Sequence, residues 1–133
     1  MLQQKQEGKS CYLLAVCNAL EIPIDRRLEQ AYNSYFAQGR SADGVLLIQL
    51  IARSNALHSF KGWLPGDDIL KTMPATGRGV IVFRHSNGTH AVAYDEGMLC
   101  DSNFPEKVFY GWEDYTERSV WMNMRILEVI PLN

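Results

Sequence analysis

Apolar residues change their spacing about halfway along the chain. Over residues 12–20 (YLLAVCNAL) they are nearly continuous, the pattern of a buried helix. That helix must stop near Ile22, because Pro23 pushes the residue before it out of the helical region. Leu28, Ala31, Tyr32, Tyr35 and Phe36 then recur at i, i+3, i+4, i+7 and i+8, one apolar helical face, with Gly39 placed to cap its end. A third helix is predicted over about 44–53, N-capped by Ser41 or Asp43. The second half reads as strands and turns. GVIVFR (79–84) is a short β-branched and aromatic run, Ser86-Asn87-Gly88 is a turn, and HAVAYD (90–95) follows. Glu96-Gly97 turns the chain into a strand over 98–101, and further strands are predicted over 107–110 and 120–130. Helices first and an antiparallel sheet second make an α+β chain.

Composition adds limits to this picture. The 133 residues suit one domain, 1–133, with no repeat or linker marking a boundary. At 47% hydrophobic and 21% charged the chain is expected to fold. With a net charge of -2 and scattered basic residues it lacks the footprint of a nucleic-acid binder. No apolar run approaches the roughly 20 residues that cross a bilayer, and MLQQKQEGKS is too polar for a signal peptide, so synthesis as a cytoplasmic protein is expected. The three cysteines, 11, 17 and 100, have no C-x-x-C spacing, which argues against disulfides and structural zinc. No metal and no cofactor are expected.

Cys11 stands immediately before the first helical run, where unpaired N–H groups and the helix dipole favour a thiolate. A reactive thiolate needs an imidazolium partner. Cys17, mid-helix in an apolar run, reads as core. Gln6 lies five positions before Cys11 in QEGKSC, where its amide would join a backbone N–H as an oxyanion hole; Gln3 and Gln4 have worse spacing. Gly8-Lys9-Ser10 is no P-loop, since the earlier glycine would fall on Gln3.

Of the three histidines, His90 alone opens a strand, whereas His58 and His85 lie beside predicted turns or short segments. A two-residue turn at Glu96-Gly97 pairs Tyr94 with Leu99, Val92 with Asp101 and His90 with Asn103. Alternation then puts His90, Asp101 and Asn103 on one face, so that either Asp101 or Asn103 would orient the imidazole, while Cys100 points away. A three-residue loop would bring Ser102 there instead.

A Gln, a Cys opening a buried helix, a His opening a strand and an Asp on the next strand resemble the papain-like superfamily of cysteine peptidases. QEGKSC is similar to the Josephin deubiquitinase opening. HAVA followed by DSNF is similar to the His and Asp segments of bacterial effector and bacteriocin-processing peptidases, and SCYLLAVCNAL to small viral leader and helper-component proteases. The resemblance covers 6–20 and 90–104. It implies a papain-like fold, a triad of Cys11, His90 and Asp101 with Asn103 as the alternative orienter, and Gln6 as the oxyanion residue. It also implies a protein or peptide substrate, such as a host protein or the chain's own polyprotein, and delivery into a host cell for effector-type members. The same residues acting on a glutamine side chain would give deamidation or transglutamination. The non-catalytic alternative is an inactive papain-like module that binds a protein, with Trp63, Trp112 and Trp121 as interface aromatics, although core packing is the expected role of any one of them.

Overall fold

A computed structural model describes residues 1–5, 11–24, 26, 29–30 and 73–132. Gln6, His58, Trp63 and almost all of the two helices predicted over 28–36 and 44–53 lie outside these residues. Helix α1 spans Cys11–Leu20, followed by strands β1 (Arg78–His85), β2 (Gly88–Asp95) and β3 (Met98–Cys100). Helix α2 (Trp112–Arg118) and strand β4 (Arg125–Leu132) complete the described elements. The four strands form one antiparallel sheet in the order β3-β2-β1-β4, so the arrangement is mixed α+β. Among the described residues no helix is long and apolar enough to cross a membrane.

Leucine and alanine carry α1, and its end is set by backbone geometry. Glu21 adopts φ 58, and the N–H groups of Ile22 and Glu21 donate to the carbonyls of Cys17 (2.8 Å) and Asn18 (3.3 Å). These are the two bonds of a Schellman cap, which satisfy carbonyls that the helix itself leaves open. Pro23 follows, as helix-stopping logic requires.

α1 packs on β2 and β1. Leu13, Ala15, Val16 and Ala19 meet Val80, Ala91, Ala93 and Ile130 on one face of the sheet. On the other face Ile81, Phe83, Val92, Tyr94 and Val129 pack with Leu99, Phe109 and with Tyr115 of α2. The alternation of side chains across β1 and β2 thus serves two cores at once. Gly79 sits where Tyr94 and the carbonyl of Ile130 crowd its backbone, and a Cβ there would collide with both.

The β2–β3 turn is the two-residue one. Glu96 and Gly97 have φ 47 and 83, the paired positive values of a type I′ hairpin, and Tyr94 is opposite Leu99. Three sequence expectations need correction. The strand expected over 107–110 is a single bridge between Phe109 and Leu99, because the chain leaves the sheet at Asp101 and returns only at that point. Residues 112–118 form α2, a helix that the strand reading omitted; Glu113 and Asp114 in its first turn and Arg118 in its last suit the helix dipole. The strand expected from residue 120 begins at Arg125, because 119–124 is a loop fastened to the β1–β2 turn: Ser86 N–H donates to Met122 O at 2.9 Å and Asn123 Nδ2 to Ser86 Oγ at 2.8 Å.

Candidate active site

Cys11 is the first residue of α1, where the backbone N–H of Tyr12 favours the thiolate. β3 stops at Cys100, opposite Ala93, so among the described residues no strand lies on the edge of β2 beside Ala91. The backbone N–H of Ala91 helps to hold the Cys11 thiol pKa down. The cysteine therefore occupies the open edge of β2, next to His90. The thiol and the imidazole are close enough that each favours the charged form of the other.

His90 Nε2 donates to Asp101 Oδ1 at 2.8 Å, which leaves Nδ1 for Cys11. The ring is 4% exposed and the carboxylate 0%. Phe83 meets the ring edge-on at 5.6 Å, and Trp121 lies over it at 4.7 Å, with His85 against that same indole at 4.4 Å. These contacts hold the imidazole in one plane between thiol and carboxylate.

Asp101 accepts four hydrogen bonds. Oδ1 takes His90 Nε2 and the backbone N–H of Asn103 (2.9 Å); Oδ2 takes Tyr115 Oη (2.6 Å) and Trp121 Nε1 (2.9 Å). Both oxygens are thus saturated, the condition under which a buried carboxylate stays ionised. Of the two candidate orienters, Asp101 meets the ring. Asn103 lies exposed and lends only its backbone N–H, because β3 ends before it can pair opposite His90.

The electrostatics follow from these contacts. Burial alone would push the Cys11 thiol up, but the hydrogen bond and charge of His90, with the N–H groups of Ala91 and Tyr12, hold it below its ordinary value. Burial opposes the imidazolium of His90, yet Asp101 and Cys11 outweigh it and raise its pKa to about 9. Burial likewise works against the Asp101 carboxylate, and His90, Trp121 and Tyr115 keep it below the usual range. All three shifts favour a thiolate, an imidazolium and a carboxylate in line. Cys100, by contrast, is pushed up to about 12, chiefly by burial, and Cys17 is buried in the α1 core.

A second polar cluster fixes the spacing between α1 and the Asp101 loop. Buried Asn18 donates to Ser102 Oγ at 2.9 Å and accepts from Gln4 through its backbone N–H (3.2 Å) and side chain (3.0 Å). Gln4 also donates to Ile22 O (3.0 Å) and accepts from Ile24 N–H (2.6 Å). Its amide is consumed by this structural role and is not free to bind an oxyanion.

Sequence reasoning missed Tyr115, whose helix it did not foresee, and gave Trp121 a core or interface role without connecting it to Asp101. The residues around Asp101 in sequence give no sign of which aromatic donors, 14 and 20 residues further on, will reach it. Among the described residues no group of His, Cys, Asp or Glu side chains is arranged to hold a metal ion. An open pocket of about 410 Å³, lined by Met73, Pro74, Tyr110, Trp112 and Ile126 among others, includes none of Cys11, His90 and Asp101. Comparison of the chain with protein-family models, curated proteins and solved structures finds no match.

Proposed function

We propose that this chain is a papain-like cysteine hydrolase acting on a peptide or isopeptide bond of a protein or peptide substrate. The observation that carries the reading is the line from Cys11 through His90 to an Asp101 whose four acceptor positions are all filled. A cysteine with a buried, hydrogen-bonded imidazole and an orienting carboxylate is the arrangement that nucleophilic acyl transfer requires.

In this mechanism the Cys11 thiolate attacks the substrate carbonyl, forming the carbon–sulfur bond of a tetrahedral adduct. The Nδ1 proton of His90 passes to the departing amine as the carbon–nitrogen bond breaks, leaving a thioester. Neutral His90 then takes a proton from water, whose oxygen attacks the thioester, and the acid product leaves with the thiolate and imidazolium restored. Asp101 stays ionised and fixes the tautomer throughout. By this account activity falls in acid as the thiolate is protonated, and in alkali as His90 loses its proton near pH 9.

The test is alkylation by iodoacetamide at pH 6, where an ordinary thiol is only about 0.3% ionised. Native Cys11 should react at least about tenfold faster than such a thiol, and His90→Ala should remove the advantage. An ordinary rate in the native chain, unchanged by His90→Ala, sinks the reading. Incubation with a peptide library, read by mass spectrometry against Cys11→Ser, then separates cleavage from deamidation, which adds about one mass unit without shortening the chain.

A further inference from the structure

Cys11 and Asn18 are seven residues apart on α1, nearly two whole turns, so they lie close to one side of the helix and about 10 Å apart along its axis. Cys11 meets His90; Asn18 meets the residue next to Asp101. Asn18 Nδ2 donates to Ser102 Oγ at 2.9 Å and also faces Cys100 Sγ at 3.8 Å. Asn18 is fully buried beside a largely aliphatic core, and Ser102 is 4% exposed. Aliphatic burial has no direction, whereas a buried amide bond has one and so selects a single register.

The direction of this amide is set by backbone groups. Ile24 N–H needs an acceptor and takes Gln4 Oε1 at 2.6 Å, while Ile22 O needs a donor and takes Gln4 Nε2 at 3.0 Å. Gln4 then offers Asn18 two donors, Nε2 at 3.0 Å and its backbone N–H at 3.2 Å. Asn18 Oδ1 must face them, so Nδ2 must face Ser102. The chain just past the end of α1 thus dictates, through two side-chain amides, a donor aimed at the Asp101 loop.

The β2–β3 ladder ends at Cys100, before that loop begins. Residues 101–104 form a closed turn instead: Asp101 accepts from Asn103 N–H through Oδ1 at 2.9 Å and from Phe104 N–H through its carbonyl at 2.8 Å. Ser102 lies inside this turn, so its hydroxyl and the Asp101 carboxylate move as one piece. Tyr115 and Trp121 hold the carboxylate from the side of the sheet away from α1. The Asn18–Ser102 bond ties the same turn to the helix that carries Cys11.

We infer that Asn18 is a positioning residue for the reaction: by holding Ser102 it fixes the Asp101 turn, and with it His90, against the helix that presents the Cys11 thiolate. The inference rests on Cys11 being the nucleophile. Gln4 serves the same end by fixing which way the Asn18 amide points. Without the bond the aliphatic core still seats α1, but thiolate and imidazolium lose their fixed spacing, and the thiolate loses part of its stabilisation.

Iodoacetamide alkylation of Cys11, followed across pH by intact mass, tests this in Asn18→Ala, Ser102→Ala and the double variant, at a temperature where circular dichroism shows each folded. Cys11→Ser is the blank. Each single variant should raise the pH at which Cys11 becomes reactive by about one unit, so that alkylation at pH 6 slows about tenfold. The double variant should be no slower than the singles, because both ends belong to one bond. Ser102→Thr, which keeps the hydroxyl, should stay near the native profile, and Leu13→Ala, which loosens α1 without touching the bond, should not move the pH. A native profile in folded Ser102→Ala, effects that multiply in the double variant, or an equal shift in Leu13→Ala overturns the positioning role. If Asn18→Ala does not fold, Ser102→Ala against Ser102→Thr decides alone, since Asn18 and Gln4 stay in place; equal profiles in those two overturn it. Slow alkylation of the native chain removes the nucleophile as well, whereas rapid native alkylation with unshifted variants removes only the positioning role.

Discussion

The two faces of the sheet are built by different physics. The α1 face is aliphatic and small: Leu13, Val16, Val80, Ala91, Ala93 and Ile130 pack by shape alone, and what they position is a helix terminus. The α2 face is aromatic: Phe83, Tyr94, Phe109 and Tyr115 form its core, with Trp112 and Trp121 against it, and two of these rings end in donors aimed at Asp101. One face sets where Cys11 is, through dispersion and burial that no single atom dominates. The other sets what charge His90 carries, through four directed bonds to one carboxylate. A site assembled across both should therefore fail in two distinguishable ways.

The largest expected effect is on the polar side. Asp101→Ala leaves His90 Nε2, Asn103 N–H, Tyr115 Oη and Trp121 Nε1 without their acceptor, and should cost about 4 kcal/mol in urea unfolding. It should also abolish rapid Cys11 alkylation. A stable variant with an unchanged rate would mean that the carboxylate does not govern the imidazole.

Leu13→Ala probes the aliphatic side. It removes a fully buried side chain and should cost about 3 kcal/mol, while the pH at which Cys11 becomes reactive stays where it is in the folded protein. A large shift in that pH would break the division between the faces. Tyr115→Phe should cost about 2 kcal/mol, since it deletes one charge-assisted hydrogen bond, and should raise the pH of acid unfolding because Asp101 then protonates more easily.

The smallest effect is a slope. His90 has its pKa raised to about 9, so its stabilisation is complete below about 6.5 and is lost as pH rises through 9. Cys11 is held below its ordinary value, so its contribution is present at high pH and lost as pH falls through the lowered value. The two oppose each other where their windows overlap, which flattens the native profile. Cys11→Ser should uncover a decline in stability above pH 6.5 of at most about 1.4 kcal/mol per pH unit, measured by denaturant titration. A decline no steeper than that of the native chain would show that the two groups are not coupled.

How much of this was legible beforehand differs between elements. The β1–β2–β3 meander was readable because alternation and Glu96-Gly97 act over a few residues, and from that turn alone His90 and Asp101 share a face. α1 was readable because Pro23 and an unbroken apolar run bound it, and the position of Cys11 at its start came with it. The choice between Asp101 and Asn103 was not, since it depends on β3 ending at Cys100 rather than running on. Nor was α2: seven residues are too few for a helical period to stand out, and only packing of Tyr115 beneath Phe83 and Phe109 commits them.

The sequence by itself thus determined that Cys11 begins a helix and that His90 lies on a strand, although β2 opens at Gly88 rather than at His90, because turns, caps and periodicity are local. Tertiary structure alone decided that they meet. A sheet edge left open beside Ala91 among the described residues and a carboxylate surrounded by donors up to 20 residues away in sequence are both products of chain return, and no local pattern encodes them.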